Sequence, residues 1–224
     1  MGELGDAYHG VRVRVTDLVS AAGDDAVLRV APATPDWTVK DNLAHLAGVT
    51  ADILGGNLDG VGTDRWADAQ VDARREVSVD AILAEWDTCA STVETMADQF
   101  GKSGAQLVTD AATHEHDIRG AMERPGARDS DAVQIAFGFV GTALGEQLDA
   151  ADRGALVVEH EAGATTFGSG EPTVTLRTTR FEFLRATTGR RCLAQIAAYD
   201  WVGDAPPIDL VLARFTARAE PLEA

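Results

Sequence analysis

The sequence predicts an α+β protein, in which an N-terminal up-and-down helical bundle precedes a small C-terminal α/β domain. Apolar residues recur every three or four positions as far as about residue 150, which is the period of amphipathic helices. After the Asp-Arg-Gly turn at residues 152–154, short apolar runs alternate with glycine-rich breaks, as in strands. The hydrophobic fraction, 45% of 224 residues, is large enough for a substantial core. We therefore predict one domain over residues 1–152 and a second over residues 153–224.

Five helices are predicted in the first domain, each from an apolar stripe between recognisable ends. Thr38 is expected to cap the second helix, with Asp41 completing a capping box, and Ser103 with Gln106 is expected to open the fourth helix in the same way. Residues 57–77 are polar and Asp-rich, so we predict a loop there with at most a short turn of helix. The predicted helices cover residues 5–22, 38–56, 78–101, 103–123 and 129–150.

The second domain is predicted to contain three strands and one short helix, followed by a less regular end. Apolar and β-branched residues mark the strands, and glycine-rich segments separate them. Of the last two apolar segments, 196–201 and 208–215, we expect one to be a strand and the other a helix. The predicted strands cover residues 155–160, 164–167 and 172–177, and the helix covers residues 179–187.

Residues 110–119, with the sequence Asp-Ala-Ala-Thr-His-Glu-His-Asp-Ile-Arg, contain the candidate metal ligands. Asp110, His114 and Asp117 stand at i, i+4 and i+7 of the fourth helix, so they share its apolar face. Ionisable groups on a core face are costly unless they are paired, and a divalent metal is the simplest partner. His45 of the second helix adds a third ligand, which leaves one position open for water or substrate.

The types of the candidate ligands narrow the choice of metal ion but do not identify a single one. Imidazole with carboxylate suits zinc, while nickel, iron and manganese are not excluded. Asp117 could orient an imidazole or act as a base. His116 lies about 200° from His114 around the helix, so we predict that it lies on the surface. In the alternative reading, each histidine is an ordinary packed residue and the Asp-x-x-x-His pair only supports the helix.

The composition argues against two classes of partner. The formal net charge of −17 argues against nucleic acid, which is bound by clustered Lys and Arg. No run of about 18 apolar residues is present, so no membrane span is expected.

The first residues lack the basic start and apolar segment of a signal peptide, and a cytoplasmic protein is the default expectation. Monomer and homodimer both stay open.

Three segments resemble the mycothiol-dependent maleylpyruvate isomerase family, a branch of the DinB-like metal-binding helical bundles. The segments are residues 37–46, 110–119 and 183–196, and they occur in the family's order. The resemblance implies that His45, Asp110 and His114 bind the metal and that Asp117 is a functional neighbour. Two positions depart from the family's pattern, because Asp110 replaces the usual Glu and His116 stands where Trp is common.

The resemblance further implies an enzyme with a divalent metal, best matched by Zn²⁺, and with mycothiol as a thiol cofactor. The metal would favour the reactive thiolate, which would then add to an electrophilic small-molecule substrate. The product is an isomer if the adduct rotates and expels the thiol, or a conjugate if the adduct is released. Arg191, or its neighbour Arg190, could hold a substrate carboxylate bidentately. A non-catalytic binding module for metal or a thiol conjugate, and a metal-dependent hydrolase, remain alternative functions.

Overall fold

A computed structural model describes residues 1–203 and 209–222 and confirms the predicted α+β class. The described chain divides into two compact units, Met1–Gly126 and the residues from Ala127 onward. The first unit is mostly helical, whereas the second combines helices with a four-stranded sheet. Within the described residues, no helix is both long and apolar enough to cross a membrane.

Four long helices form a bundle in the first unit. The helices of this unit are α1 (Glu3–Ser20), α2 (Asp24–Val27), α3 (Val39–Gly55), α4 (Asp64–Ala73), α5 (Val79–Met96) and α6 (Lys102–Ala121), and its two short strands are β1 (Val30–Ala31) and β2 (Thr34–Thr38). Helices α1 and α3 each pack against both α5 and α6, so the four helices close a ring around one apolar core. Large buried side chains from each helix fill it, namely Tyr8, Leu43, Trp86 and Ile118.

The helix starts test the predicted caps directly. Thr38 caps α3 and Asp41 completes the capping box, as predicted. The predicted box of Ser103 and Gln106 is wrong, because α6 already begins at Lys102 and has no side-chain cap. A 3₁₀ turn leads into α6 through Gly101, whose φ of 54° is a conformation that glycine adopts without steric cost.

Helix α4 lies inside the segment that we predicted to be a loop. It spans ten residues, and Thr63 caps its N-terminus. It packs against α3 at Gly48, where an added Cβ would come within 2.5 Å of the Cβ of Gln70. The pattern of apolar residues misses this helix because its two buried residues are Gln70 and Val71, and only one of them is apolar.

A buried charge network joins α1 to α5. The Glu94 side chain, 3% exposed, accepts a hydrogen bond from Arg12 Nε at 2.7 Å. Its second carboxylate oxygen lies 3.0 Å from His9 Nδ1. Arg12 also donates to Asp87, which is exposed at the bundle surface. The contacts with Arg12 and His9 therefore replace the hydrogen bonds to water that the Glu94 carboxylate loses when it is buried.

The second unit is built on a mixed sheet. Its elements are α7 (Asp131–Ala150), β3 (Ala155–His160), β4 (Gly163–Phe167), β5 (Pro172–Arg177), α8 (Arg180–Thr187), α9 (Leu193–Ala197) and β6 (Asp200–Val202). The strand order is β4-β3-β5-β6, in which the central pair is parallel and the two outer pairs are antiparallel. The three predicted strands and the predicted helix over 179–187 are confirmed.

The end of the second unit differs from the prediction. Residues 196–201 contain the end of α9 and the start of β6, so this segment is neither one helix nor one strand. Residues 209–215 form neither a helix nor a strand, and Ile208 lies outside the described residues. The prediction of one helix and one strand is therefore wrong for these two segments.

Helix α7, predicted as part of the first domain, packs in the second unit against α8 and the strands β3 and β4. The close approach depends on Gly141, since a Cβ there would overlap the ring of Phe167 on β4. The compact units accordingly divide between Gly126 and Ala127, whereas the domain division after residue 152 stays a prediction.

Candidate metal centre

The structure brings together the three residues that the sequence proposes as metal ligands. Helix α3 presents His45, and α6 presents Asp110 and His114 one turn apart. His45 Nε2 lies 3.3 Å from Asp110 Oδ2, and His114 Nε2 lies 3.8 Å from Asp110 Oδ1. One ligand atom from each residue lies within 4.8 Å of the other two. Both imidazoles are buried, and the carboxylate is about one-third exposed.

The 3.3 Å separation of His45 Nε2 from Asp110 Oδ2 fits a divalent metal, and the 3.8 Å separation of His114 Nε2 from Asp110 Oδ1 is slightly wider. A tetrahedral zinc centre, with bonds of about 2.0–2.2 Å, sets its ligand atoms roughly 3.3–3.6 Å apart. Burial lowers the pKa of His114 below its ordinary value, against the opposite effects of Asp117 and Asp110. The ring is therefore neutral at pH 7, which is the form that ligates metal. Two nitrogens and one carboxylate oxygen are also the donor set that zinc accepts.

A hydrogen-bond relay fixes the ring of His45. His45 Nδ1 lies 2.7 Å from Gln70 Oε1 of α4, and Gln70 Nε2 donates to Asp52 Oδ2 at 2.7 Å. An ionised carboxylate only accepts hydrogen bonds, so it orients the amide with its oxygen toward the ring. Nδ1 must then donate, and the Nε2 lone pair faces Asp110. A lone pair facing a carboxylate oxygen is favourable only when a proton or a cation lies between them.

A second relay fixes the ring of His114. Asn42 Nδ2 donates to the backbone carbonyl of Thr38 at 2.9 Å, so Asn42 Oδ1 must face the ring and lies 2.9 Å from His114 Nδ1. Asp117, which is buried, places Oδ2 3.3 Å from the same nitrogen. Both neighbours are acceptors, so Nδ1 carries the proton and Nε2 points into the cluster. Asp117 thus lies where an orienting carboxylate would lie, and its role as a base stays a prediction.

Sequence reasoning missed Asn42, Gln70 and Asp52. Asn42 precedes His45 by three residues on α3, so the helical period could have found it as a buried polar neighbour. Gln70 carried no such signal, because its approach to His45 depends on how closely α4 packs at Gly48.

A cavity of about 570 Å³ opens beside the cluster, entirely within the first unit. The indole of Trp66 lies edge-on to His45, with 6.4 Å between ring centroids. The lining side chains are mostly apolar, and the polar ones are His45, Thr63, Asp64, Ser103, Gln106, Asp110 and His114. Such a cavity is of the size that holds small molecules. Trp37 begins the segment 37–46 that resembles the isomerase family. Its ring centroid lies 5.2 Å from that of His45 and 5.7 Å from that of His114.

The predicted surface position of His116 is wrong. His116 is 4% exposed, and the adjacent Glu115 is 1% exposed. Helix α6 contacts α1, α3 and β1, so it is enclosed on more than the single face that an amphipathic pattern assumes. Glu115 is compensated by ion pairs, accepting hydrogen bonds from Arg14 at 2.7 and 2.8 Å and from Arg119 at 2.9 Å.

Arg191, the predicted substrate ligand, lies in the second unit. Its side chain is 4% exposed and donates to both carboxylate oxygens of Glu182, at 2.9 and 2.8 Å. This bidentate pair is the geometry that we predicted for a substrate carboxylate. Its role toward a substrate stays a prediction.

We expect Gln70→Leu to weaken zinc binding about 10–100-fold, the usual cost of removing a partner that orients a ligand. The leucine removes the acceptor that holds His45 in its ligating tautomer. Competition against a chromophoric chelator measures the affinity, and circular dichroism checks the fold. Gln106→Leu is the matched control, since Gln106 lines the same cavity but is not among the described hydrogen-bond partners of either ring. Unchanged affinity in Gln70→Leu would contradict the relay.

Fold and cluster together define a helical-bundle protein with a candidate metal centre and a small α/β unit. No protein-family model matches the chain, and no curated protein matches it. Two solved structures share the fold, one of the mycothiol-dependent maleylpyruvate isomerase and one of a histidine-to-alanine mutant of an enzyme of that name. The TM-scores are 0.60 and 0.61 respectively, and each comparison covers 92% of this chain and 94% of the other at 10% sequence identity. At this identity the likeness shows the fold alone.

Proposed function

We propose that this chain is a metal-dependent enzyme that uses a low-molecular-weight thiol, mycothiol, to act on an electrophilic small molecule. The observation that carries the proposal is the convergence of His45, Asp110 and His114 beside a cavity large enough for a ligand. The choice of thiol rests on the resemblance of the sequence motifs and on the name of the enzyme whose fold the chain shares.

The chain's own residues divide into ligands and positioning groups. His45, Asp110 and His114 would hold the cation, with zinc the best match to their donor atoms. A bound divalent cation would favour the thiolate form of the thiol, which is the nucleophilic form. Gln70 and Asp117 keep the two rings in the ligating tautomer.

The reaction would form a bond between the thiol sulfur and an electrophilic carbon of the substrate. Release of the adduct makes the protein a thiol transferase. Rotation within the adduct, followed by loss of the same thiol, makes it an isomerase of the maleylpyruvate type. The aromatic rings of Trp37 and Trp66 lie beside His45 and give the cluster a partly apolar border.

Calorimetric titration of mycothiol into the zinc-loaded protein tests this proposal. Removing the metal with a chelator should weaken binding by at least about tenfold, because the contact between metal and thiolate is lost. S-methylated mycothiol is the matched control ligand, and it should bind loaded and metal-free protein equally. Equal affinity of mycothiol for the two forms would contradict the proposed function. Thiol-independent hydrolysis of an ester by the loaded protein would support the hydrolase alternative in its place.

A further inference from the structure

The cavity beside the candidate metal centre follows two antiparallel helices. Asn42 of α3 contacts His114 of α6, and His45, one turn later on α3, contacts Asp110, one turn earlier on α6. Among the described lining residues, those on α3 begin at His45 and those on α6 end at His114, and the wall continues along both helices away from these residues. The centre therefore lies at one end of an elongated cavity.

The α3 wall beyond His45 is apolar. Val49 and Ile53 follow His45 at intervals of four residues, so the three side chains share one face of the helix. With a rise of 1.5 Å per residue, Ile53 lies about 12 Å along α3 from His45. An extended carbon chain with bonds of about 1.5 Å advances roughly 1.25 Å per carbon, so about eight carbons span this distance behind a small head group.

Apolar residues of three other segments also line the cavity. They are Leu58 of the loop between α3 and α4, Trp66 of α4, and Phe100 of the turn before α6. The Trp66 Nε1–H donates to the backbone carbonyl of Asn57 at 3.0 Å, so the one polar group of the indole is already bonded. Leu58 is 50% exposed, and such uncovered apolar surface is stabilised when an apolar chain displaces water from it.

The charges of the site favour different parts of one ligand at different places. A divalent cation held by the centre would attract an anionic or electron-rich head group at its open position. Asp64, at the start of α4, also lines the cavity, and its carboxylate repels an anionic group placed beside it. A head group therefore gains most at the centre, and an apolar chain gains most along Val49 and Ile53.

We propose that the second substrate is an electrophile with an unbranched apolar chain of about eight carbons. The reactive end lies at the candidate metal centre, and the chain lies along α3 from Val49 to Ile53, which we call the chain site. This inference rests on the proposed function, because it names the second substrate of that enzyme. It is distinct from the choice of thiol, since the chain site lies beyond the ligands.

A series of saturated alkanoates, from butanoate to dodecanoate, tests the chain site without turnover. Each is titrated by calorimetry into the zinc-loaded full chain, so that the head group stays the same and only the chain length changes. The affinity should rise about two- to threefold per added methylene, because the chain is buried on some sides only. The rise should end at about nine carbons, where the chain passes Ile53 and further methylenes stay in water.

A matched pair of variants tests the position of the chain. Ile53→Asn should lower the affinity for nonanoate about tenfold and leave that for butanoate unchanged, because only the longer chain reaches this residue. Leu54→Asn is the control, since Leu54 is the next residue of α3 but is 44% exposed and does not line the cavity. It should bind both alkanoates as wild type does, and circular dichroism checks the fold of both variants.

An affinity that does not depend on chain length would overturn the inference, as would one that keeps rising through dodecanoate or that responds equally to the two variants. Metal content and mycothiol affinity are measured on the same samples. The expected series in a protein that binds neither metal nor mycothiol would support the chain site and contradict the proposed function. A protein that binds both, but shows no dependence on chain length, would contradict the chain site alone.

Discussion

Replacing His114 by alanine should abolish stoichiometric metal binding in a protein that otherwise retains one ion through purification without chelators. The substitution removes one of three ligands, and the loss of an orienting partner alone costs about 10–100-fold in affinity. We therefore expect the affinity to fall by more than about 100-fold. Elemental analysis of the purified protein measures the metal, and His160→Ala is the control, because His160 lies on β3 of the second unit and contacts Thr165.

Thermal unfolding gives a second measure of the same prediction. A ligand present at about 100 times its dissociation constant stabilises the folded state by about 2.7 kcal/mol. Chelation should therefore lower the melting temperature of the wild type and of His160→Ala, and leave His114→Ala unchanged. A wild type without metal, or a His114→Ala variant that binds metal as tightly as wild type, would contradict the assignment of the ligands.

Glu94→Ala should destabilise the first unit by about 3–5 kcal/mol, the cost of leaving one partner of a buried ion pair without the other. Glu94 is almost fully buried, and its loss removes the strongest neighbour of the Arg12 guanidinium. The exposed Asp87 compensates part of that charge, so we expect the lower end of this range. Urea unfolding followed by circular dichroism measures the change, and Thr92→Ala, at an exposed position on the same helix, is the control.

A double variant separates charge from packing in this network. Arg12→Met with Glu94→Met removes both charges and keeps most of the buried volume, so it should cost much less than Glu94→Ala alone. A double variant at least as unstable as the single one would show that the α1–α5 contact depends on the ion pair itself rather than on the avoidance of an isolated charge.

The cluster of candidate ligands could be predicted because its geometry is mostly local. The spacing of Asp110 and His114 on one helix fixes their common face, and only His45 requires a contact between elements. The three strands and most helices likewise follow from periodicity and caps within short windows. For these features, the residues that lie close together in the sequence already determine the local structure.

What could not be predicted depends on packing between distant segments. The hidden helix α4 has one buried apolar residue, Val71, and it is held where Gly48 allows close approach. The burial of His116 depends on three elements that surround α6, and no pattern within α6 reports them. The close packing of α7 on β4 depends on Phe167, which occurs well after α7 in the chain.

The segment from residue 57 to residue 73 contributes both to the cavity wall and to the candidate metal centre. Leu58 and Trp66 form part of the cavity wall, and Gln70 holds the ring of His45. A displacement of this segment that shifted Leu58 and Trp66 would also draw the Gln70 amide away from the His45 imidazole. The affinities for ion and ligand are then thermodynamically coupled, and the coupling is reciprocal. A ligand that holds the segment in place tightens the ion by the same factor by which the ion tightens the ligand.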